Sequence, residues 1–155
     1  HNMSGWRIGM LAGNRELVSE VLKVKSQMDS GMFKPMQLAA VQALAQGPEW
    51  FRELNAGYAE RKVAAGRIFD LLGVEYDHDS SGLFLWGHVR GGNAFLTDDG
   101  SASLGERLSD RLLYDAGVFI TPGFIFGENG RDYVRISLCA KTEVLAEAEN
   151  RIKDL

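Results

Sequence analysis

From Glu49 to Leu72 large apolar residues recur near helical spacing. Trp50, Phe51, Leu54, Tyr58, Val63, Ile68, Phe69 and Leu72 fall on one side, Arg52, Glu53, Glu60, Arg61 and Lys62 on the other. The pattern predicts a rod of ~36 Å at 1.5 Å per residue, long enough to join two domains. Gly57 and Gly66 weaken it and mark bends or close packing. This one element divides the chain. Residues 1–47 read as the end of one larger domain, and residues 48–155 as the connecting helix and a second, small domain.

Before the divide, Trp6, Ile8, Met10 and Leu11 predict a strand entering a core. Asn14 is placed to cap a helix over 15–28, ended by Asp29-Ser30-Gly31. Pro35 stands at a first helical position ahead of a segment rich in alanine. After the divide, Gly73 switches the period from helix to strand. Val74-Glu75-Tyr76 predicts a short edge strand, and Leu83 to Val89 a strand apolar enough to be covered on both faces. Arg90 to Ser101 predicts a loop. Ser103-Leu104-Gly105-Glu106 predicts a capping box opening a helix that Gly117 ends. Val118-Phe119-Ile120 predicts a strand, Thr121-Pro122-Gly123 a turn, and Tyr133 to Cys139 a second strong strand. Thr142 is placed to cap a final helix with Val144, Leu145, Ala148 and Ile152 on its inner face. The expected fold class is α/β with an α+β small domain. It comprises the tail of a large-domain sheet, a long connecting helix, and a small mixed sheet with helices packed on one side.

With 155 residues, 45% hydrophobic and 25% charged, the chain has the material for an ordinary core. A net charge of −4 leaves no basic footprint for nucleic acid or a membrane surface. No apolar run approaches the ~20 residues a bilayer span needs. The lone Cys139 excludes an internal disulfide and fits a reducing, cytoplasmic setting. No metal site is expected, because His1, His78, His88 and Cys139 lack ligand spacing. Asp77 with Asp79, and Asp98 with Asp99, do not follow a calcium-loop order.

Two arginines remain. Arg7 lies in the glycine-punctuated run Asn2-Met3-Ser4-Gly5-Trp6-Arg7-Ile8-Gly9, where the next acidic residue is Glu16. It faces solvent, pairs with a distant carboxylate, or clamps an anion such as a phosphate. Arg135 lies mid-strand, and period-2 alternation puts it on one face with Tyr133 and Ser137, opposite Val134, Ile136 and Leu138. It is either a solvated strand arginine or a planar fork for a carboxylate.

Taken together, the Asn2 to Gly9 run, Thr121-Pro122-Gly123, Phe126-Gly127-Glu128-Asn129-Gly130 and Val134-Arg135-Ile136-Ser137 resemble the C-terminal portion of a class I/II aminotransferase of fold type I. The resemblance implies a pyridoxal 5'-phosphate enzyme that moves an amino group between an amino acid and a 2-oxo acid. It implies that Arg7 holds the cofactor phosphate, with Ser4, Gly5 and Trp6 shaping the turn, and that Arg135 binds the substrate α-carboxylate. Met32 and Phe33 would approach the active site of a neighbouring subunit in a homodimer. The lysine that forms the Schiff base would fall just upstream of His1. No catalytic residue is therefore expected among these 155 residues. The chain reads as a piece of a longer one, inactive alone. Two other readings stay open: a non-catalytic α/β module that binds a carboxylate or regulates, and a decarboxylase or lyase on the same scaffold.

Overall fold

The computed structural model describes residues 1–96 and 102–155. Of the expected 90–101 loop, residues 97–101, with Asp98 and Asp99, lie outside the described residues. The chain forms two units, His1–Arg52 and Glu53–Leu155.

In the N-terminal unit the Asn14 side chain accepts from the Glu16 and Leu17 amides at 2.8 and 3.2 Å, and α1 runs Arg15–Met28 as its cap dictates. Helix α2, Lys34–Leu44, carries Pro35 in its first turn, where a missing N–H costs nothing. Helix α3 then starts at Pro48 and continues to Leu71, crossing into the second unit.

The expected opening strand is absent. Ser4–Trp6 close a 3-10 turn, with the Trp6 amide on the Met3 carbonyl at 3.0 Å, and Met10 and Leu11 are exposed. A strand has to satisfy its N–H and C=O groups on another strand, and the described residues of this unit hold none. With Gly5 and Gly9 to loosen the backbone, the Trp6 and Arg7 amides bond locally to the Met3 and Ser4 carbonyls instead.

The C-terminal unit is built on a four-stranded sheet in the order β1-β2-β4-β3, with β1 Glu75–Tyr76, β2 Phe84–His88, β3 Thr121–Pro122 and β4 Tyr133–Ser137. Every pairing is antiparallel, so the small sheet is not mixed as expected. Leu85 and Gly87 of β2 with Val89 just past it, and Val134 and Ile136 of β4 with Leu138 just past it, face one way and are buried. Against them pack Ala64, Ala65, Ile68 and Phe69 of α3, Leu108 and Leu112 of α4 (Leu104–Ala116), and Leu145 and Ile152 of α5 (Thr142–Lys153). The Phe69 ring lies so close over Gly87 that a Cβ there would stand 2.9 Å from Cε2. Gly66 admits the Tyr76 hydroxyl in the same way, which is the close packing its place in α3 implied.

Among the described residues of this unit, no α-helix covers the other sheet face. Phe84 is 43% exposed and Trp86 38%, so β2 is covered on one face, not on both. The expected strand over 118–120 is displaced onto Thr121–Pro122. Gly117 ends α4 with φ +64, the Val118 amide bonds back to the Leu112 carbonyl at 2.9 Å, and the Ile120 carbonyl accepts from the buried Ser109 hydroxyl at 2.5 Å. Those backbone groups are committed to the helix end, and pairing with β4 begins only at Thr121.

Ser103 caps α4 as expected, with its hydroxyl accepting from the Glu106 amide at 3.4 Å. Asp132 adds an arm that the capping-box pattern did not show, taking the Leu104 amide at 3.3 Å. At α5 the cap residue is Lys141, and Thr142 is already helical. Val63 and Val144, expected on inner faces, are 62% and 59% exposed; Val144 borders a hollow of about 450 Å³ shared with Val118 and Ile136.

Helices α3 and α5 are tied across their polar edges. Glu149 accepts from Lys153 Nζ at 2.6 Å and from Arg67 Nε at 3.0 Å. These two cations, Lys153 foremost, hold its carboxyl below the ordinary 4.5. A lowered folded-state value means that the stabilisation is complete above the ordinary value and is lost as pH falls through the folded one. We expect Glu149→Gln to remove up to ~1 kcal/mol at neutral pH, and to flatten the acid limb of the stability profile below about pH 4.5. Chemical denaturation of both forms across that range checks it, and parallel acid limbs would show that the pair contributes nothing.

Candidate functional site

Arg135 sits at the middle of β4, directly opposite Trp86 of β2 and beside Thr121 of β3. Its side chain leaves by the uncovered face, with Tyr133 and Ser137, as alternation requires. The guanidinium carbon lies over the Phe84 ring at 4.1 Å and over the Phe126 ring at 4.2 Å, both well inside cation–π range. Its Nε is fully buried and has no hydrogen-bond partner among the described residues. Among the described residues no carboxylate pairs with it. A guanidinium stays charged in a protein, so a half-buried fork with no carboxylate beside it among the described residues could receive an anion from outside the chain.

The aromatic surround is ordered. Trp86 stacks on Tyr133 with 5.4 Å between centroids and 13° between planes, and meets Phe126 edge-on at 5.7 Å. His88 closes the row against Tyr133 at 4.8 Å. At that end of β2, Arg90 donates to both Glu75 oxygens at 2.7 Å. The neighbouring guanidinium keeps the Glu75 carboxyl below its ordinary range.

Phe126 is brought to Arg135 by a close backbone crossing. It ends the 3-10 turn Gly123–Phe126, which is followed by Gly127 at φ +126 and a second turn over Glu128–Gly130. Gly123 and Gly130 pack against each other's carbonyls with no room for a Cβ on either. The Phe-Gly-x-x-Gly run therefore works as a backbone device that aims an aromatic ring. Sequence reasoning singled out Arg135 but missed Phe84, Trp86 and Phe126 as its surround. The alternation Phe84, Trp86, His88 was the available signal for a functional face.

In the N-terminal unit, Arg7 takes up left-handed backbone, φ +53, at the end of the Ser4–Trp6 turn. That conformation costs a side-chain-bearing residue about 1–2 kcal/mol. Its Nη1 donates to the Ser4 carbonyl at 3.1 Å, and the guanidinium is otherwise exposed with no carboxylate partner among the described residues. Arg7 lines a hollow of about 490 Å³ with Asn2, Gly5, Trp6 and Met36, and a Cβ built on Gly5 would meet nothing within 4 Å. A cation held by the Ser4 carbonyl of its own turn, with open space beside Gly5, suits a phosphate. The residues present fit that part of a pyridoxal phosphate. Phe33 stands just before α2, 69% exposed.

Among the described residues no group of three or more His, Cys, Asp or Glu is disposed to hold a metal ion, and no helix is long and apolar enough to cross a membrane.

The family model for aminotransferase class I and II matches residues 1–152. The chain is 41% identical to an LL-diaminopimelate aminotransferase of Aquifex aeolicus over 155 residues, which is all of the chain and 38% of that protein. It is 35% identical to the enzyme of the same name from Maridesulfovibrio salexigens, of which it covers 37%. Among solved structures, apo-BacF of Bacillus subtilis superimposes with a TM-score of 0.80 at 32% identity, over 99% of this chain and 39% of that one. A probable N-succinyldiaminopimelate aminotransferase of Thermus thermophilus matches with a TM-score of 0.77 at 27% identity, over 99% and 39%. The chain thus spans somewhat over a third of the length of the relatives it matches.

Proposed function

This chain belongs to the class I and II aminotransferases, and from that premise we propose that the protein carrying it transfers an amino group between an amino acid and a 2-oxo acid with pyridoxal 5'-phosphate. Residues 1–47 close the cofactor-binding domain, and residues 48–155 are the connecting helix and the small domain. The observation that carries the reading is Arg135, a central-strand guanidinium with a buried, unpartnered Nε and two rings over it. A family match running through both units favours this over a freestanding carboxylate-binding module.

Arg135 receives the substrate α-carboxylate through its planar fork. Fixing that group fixes the direction of the Cα–H bond to be broken, a positional effect that lysine's single ammonium reproduces poorly. Arg7 holds the cofactor phosphate, and Ser4 and Gly5 line the same turn. When bound, the cofactor supplies the electron sink that stabilises the charge left on the α-carbon. Phe33 belongs to the surface that faces the second subunit of a cytoplasmic homodimer. The relatives named for LL-diaminopimelate make a diamino dicarboxylic acid the first donor to test.

The test is amino transfer by the full-length protein, followed as 2-oxo acid consumed and amino acid formed. No transfer from LL-diaminopimelate or from any common amino acid would remove the reading. For the phosphate clamp, we expect Arg7→Gln to weaken retention of pyridoxal phosphate ~10- to 100-fold, the size of a charge-assisted hydrogen bond. Equilibrium dialysis of the loaded protein measures it, and unchanged retention would free Arg7 of that role.

A further inference from the structure

The proposed carboxylate-binding role of Arg135 leaves two neighbouring residues without a function of their own, Phe84 on β2 and Phe126 at the end of the Gly123–Phe126 turn. We propose that these two rings are positioning residues that clamp the Arg135 guanidinium, holding it in one orientation and desolvated for a carboxylate. The inference rests on the reading of Arg135 given above.

Three observations converge on it. The Arg135 carbon lies at almost the same distance from both rings, 4.1 and 4.2 Å, although they come from different elements. Its buried Nε has no hydrogen-bond partner among the described residues, and the two rings are the contacts that flank the head group. Both rings are about half exposed, at 43% and 51%, and neither belongs to the apolar core beneath the sheet. Rings of that size left half in water do little for the core. Over a cation, each ring face attracts the charge and removes competing water.

An arginine side chain has large rotamer freedom, and a carboxylate that had to order it on arrival would bind more weakly. Preordering by two rings removes that loss. It also lowers the dielectric around the fork, which strengthens a charged contact there. Trp86, edge-on to Phe126 at 5.7 Å, keeps that ring in place from the side.

The experiment uses the full-length, cofactor-loaded protein and compares Phe126→Leu, Phe84→Leu, Phe126→Tyr, Arg135→Ala and the double variant Phe126→Leu/Arg135→Ala. We expect Phe126→Leu to raise KM for the amino acid roughly 5- to 20-fold, the range of a desolvated cation–π contact. Cofactor content should stay unchanged, and Phe126→Tyr should restore the KM. The effect should vanish when the substrate is the corresponding amine lacking the α-carboxylate, and when Arg135 is already alanine. A merely structural Phe126 would shift both substrates equally. If Arg135→Ala raises KM while Phe126→Leu and Phe84→Leu leave it unchanged, the clamp is overturned and the role of Arg135 stands. If Arg135→Ala itself leaves KM unchanged, the reading of Arg135 falls and the clamp with it.

Discussion

We expect Arg135→Lys, made in the full-length protein, to lower kcat/KM for the amino acid about 100-fold, ~2.7 kcal/mol of transition-state stabilisation, with pyridoxal phosphate content unchanged. Lysine keeps the charge, so the expected loss measures geometry. The guanidinium presents parallel N–H groups in one plane, and a carboxylate matches them with two oxygens at once. An ammonium in the same place offers a point charge that the substrate can approach from many directions, and the α C–H bond is no longer held ready. The residue lies in the unit Glu53–Leu155, while Arg7, proposed to hold the phosphate, lies in His1–Arg52, so cofactor retention should be indifferent to the change. Steady-state kinetics with the cofactor quantified by absorbance decides the matter. Kinetics like those of the parent would mean that Arg135 does not hold the carboxylate.

The second large effect is expected from Gly123→Ala, a change of one methyl group at the backbone crossing beneath Phe126. The new Cβ would stand 2.8 Å from the Tyr133 carbonyl and 2.9 Å from the Trp86 ring, and would overlap the Gly130 carbonyl outright. A long side chain can move aside, but two of these obstacles are backbone. The turn must lift off the sheet. We expect about 3 kcal/mol of local destabilisation, at the upper end of overpacking effects. It should be read as faster amide exchange at Tyr133–Ser137 and in the two 3-10 turns of the full-length protein. Gly130→Ala should behave alike, because the crossing is reciprocal. Phe126 leaves Arg135 when the turn lifts, so KM for the amino acid should rise with the exchange rate. Amide protection at β4 equal to the parent's would show that the crossing is looser than these distances say.

These two positions illustrate what could be read from the chain. The helices announced themselves through local chemistry: the Asn14 cap, Pro35 and the αL glycine at 117 act within a turn of where they stand. Strands β2 and β4 were legible for the same reason, as apolar runs with clear bounds, and alternation put Arg135 on its face. Strand pairing was not legible. The opening segment has strand-like residues, but no strand among the described residues of its unit. Residues 118–120 were apolar enough for a strand, yet their backbone is taken by the end of α4 and by Ser109. The surround of Arg135 depends on the register that sets Trp86 opposite it, and on a glycine crossing that carries Phe126 back over the sheet. Both are relations between distant segments, and neither leaves a local mark beyond the Phe84, Trp86, His88 alternation.

The sheet's outer strands, β1 and β3, are each two residues long, and β3 ends on Pro122, which has no N–H to offer. An added strand needs a run of open donors and acceptors, and these borders offer almost none. The small domain is thereby blunted against growth by strand addition, the common route to swapped or fibrous assemblies. Its uncovered aromatic face can stay open to a small anion without the adjoining edges inviting another polypeptide.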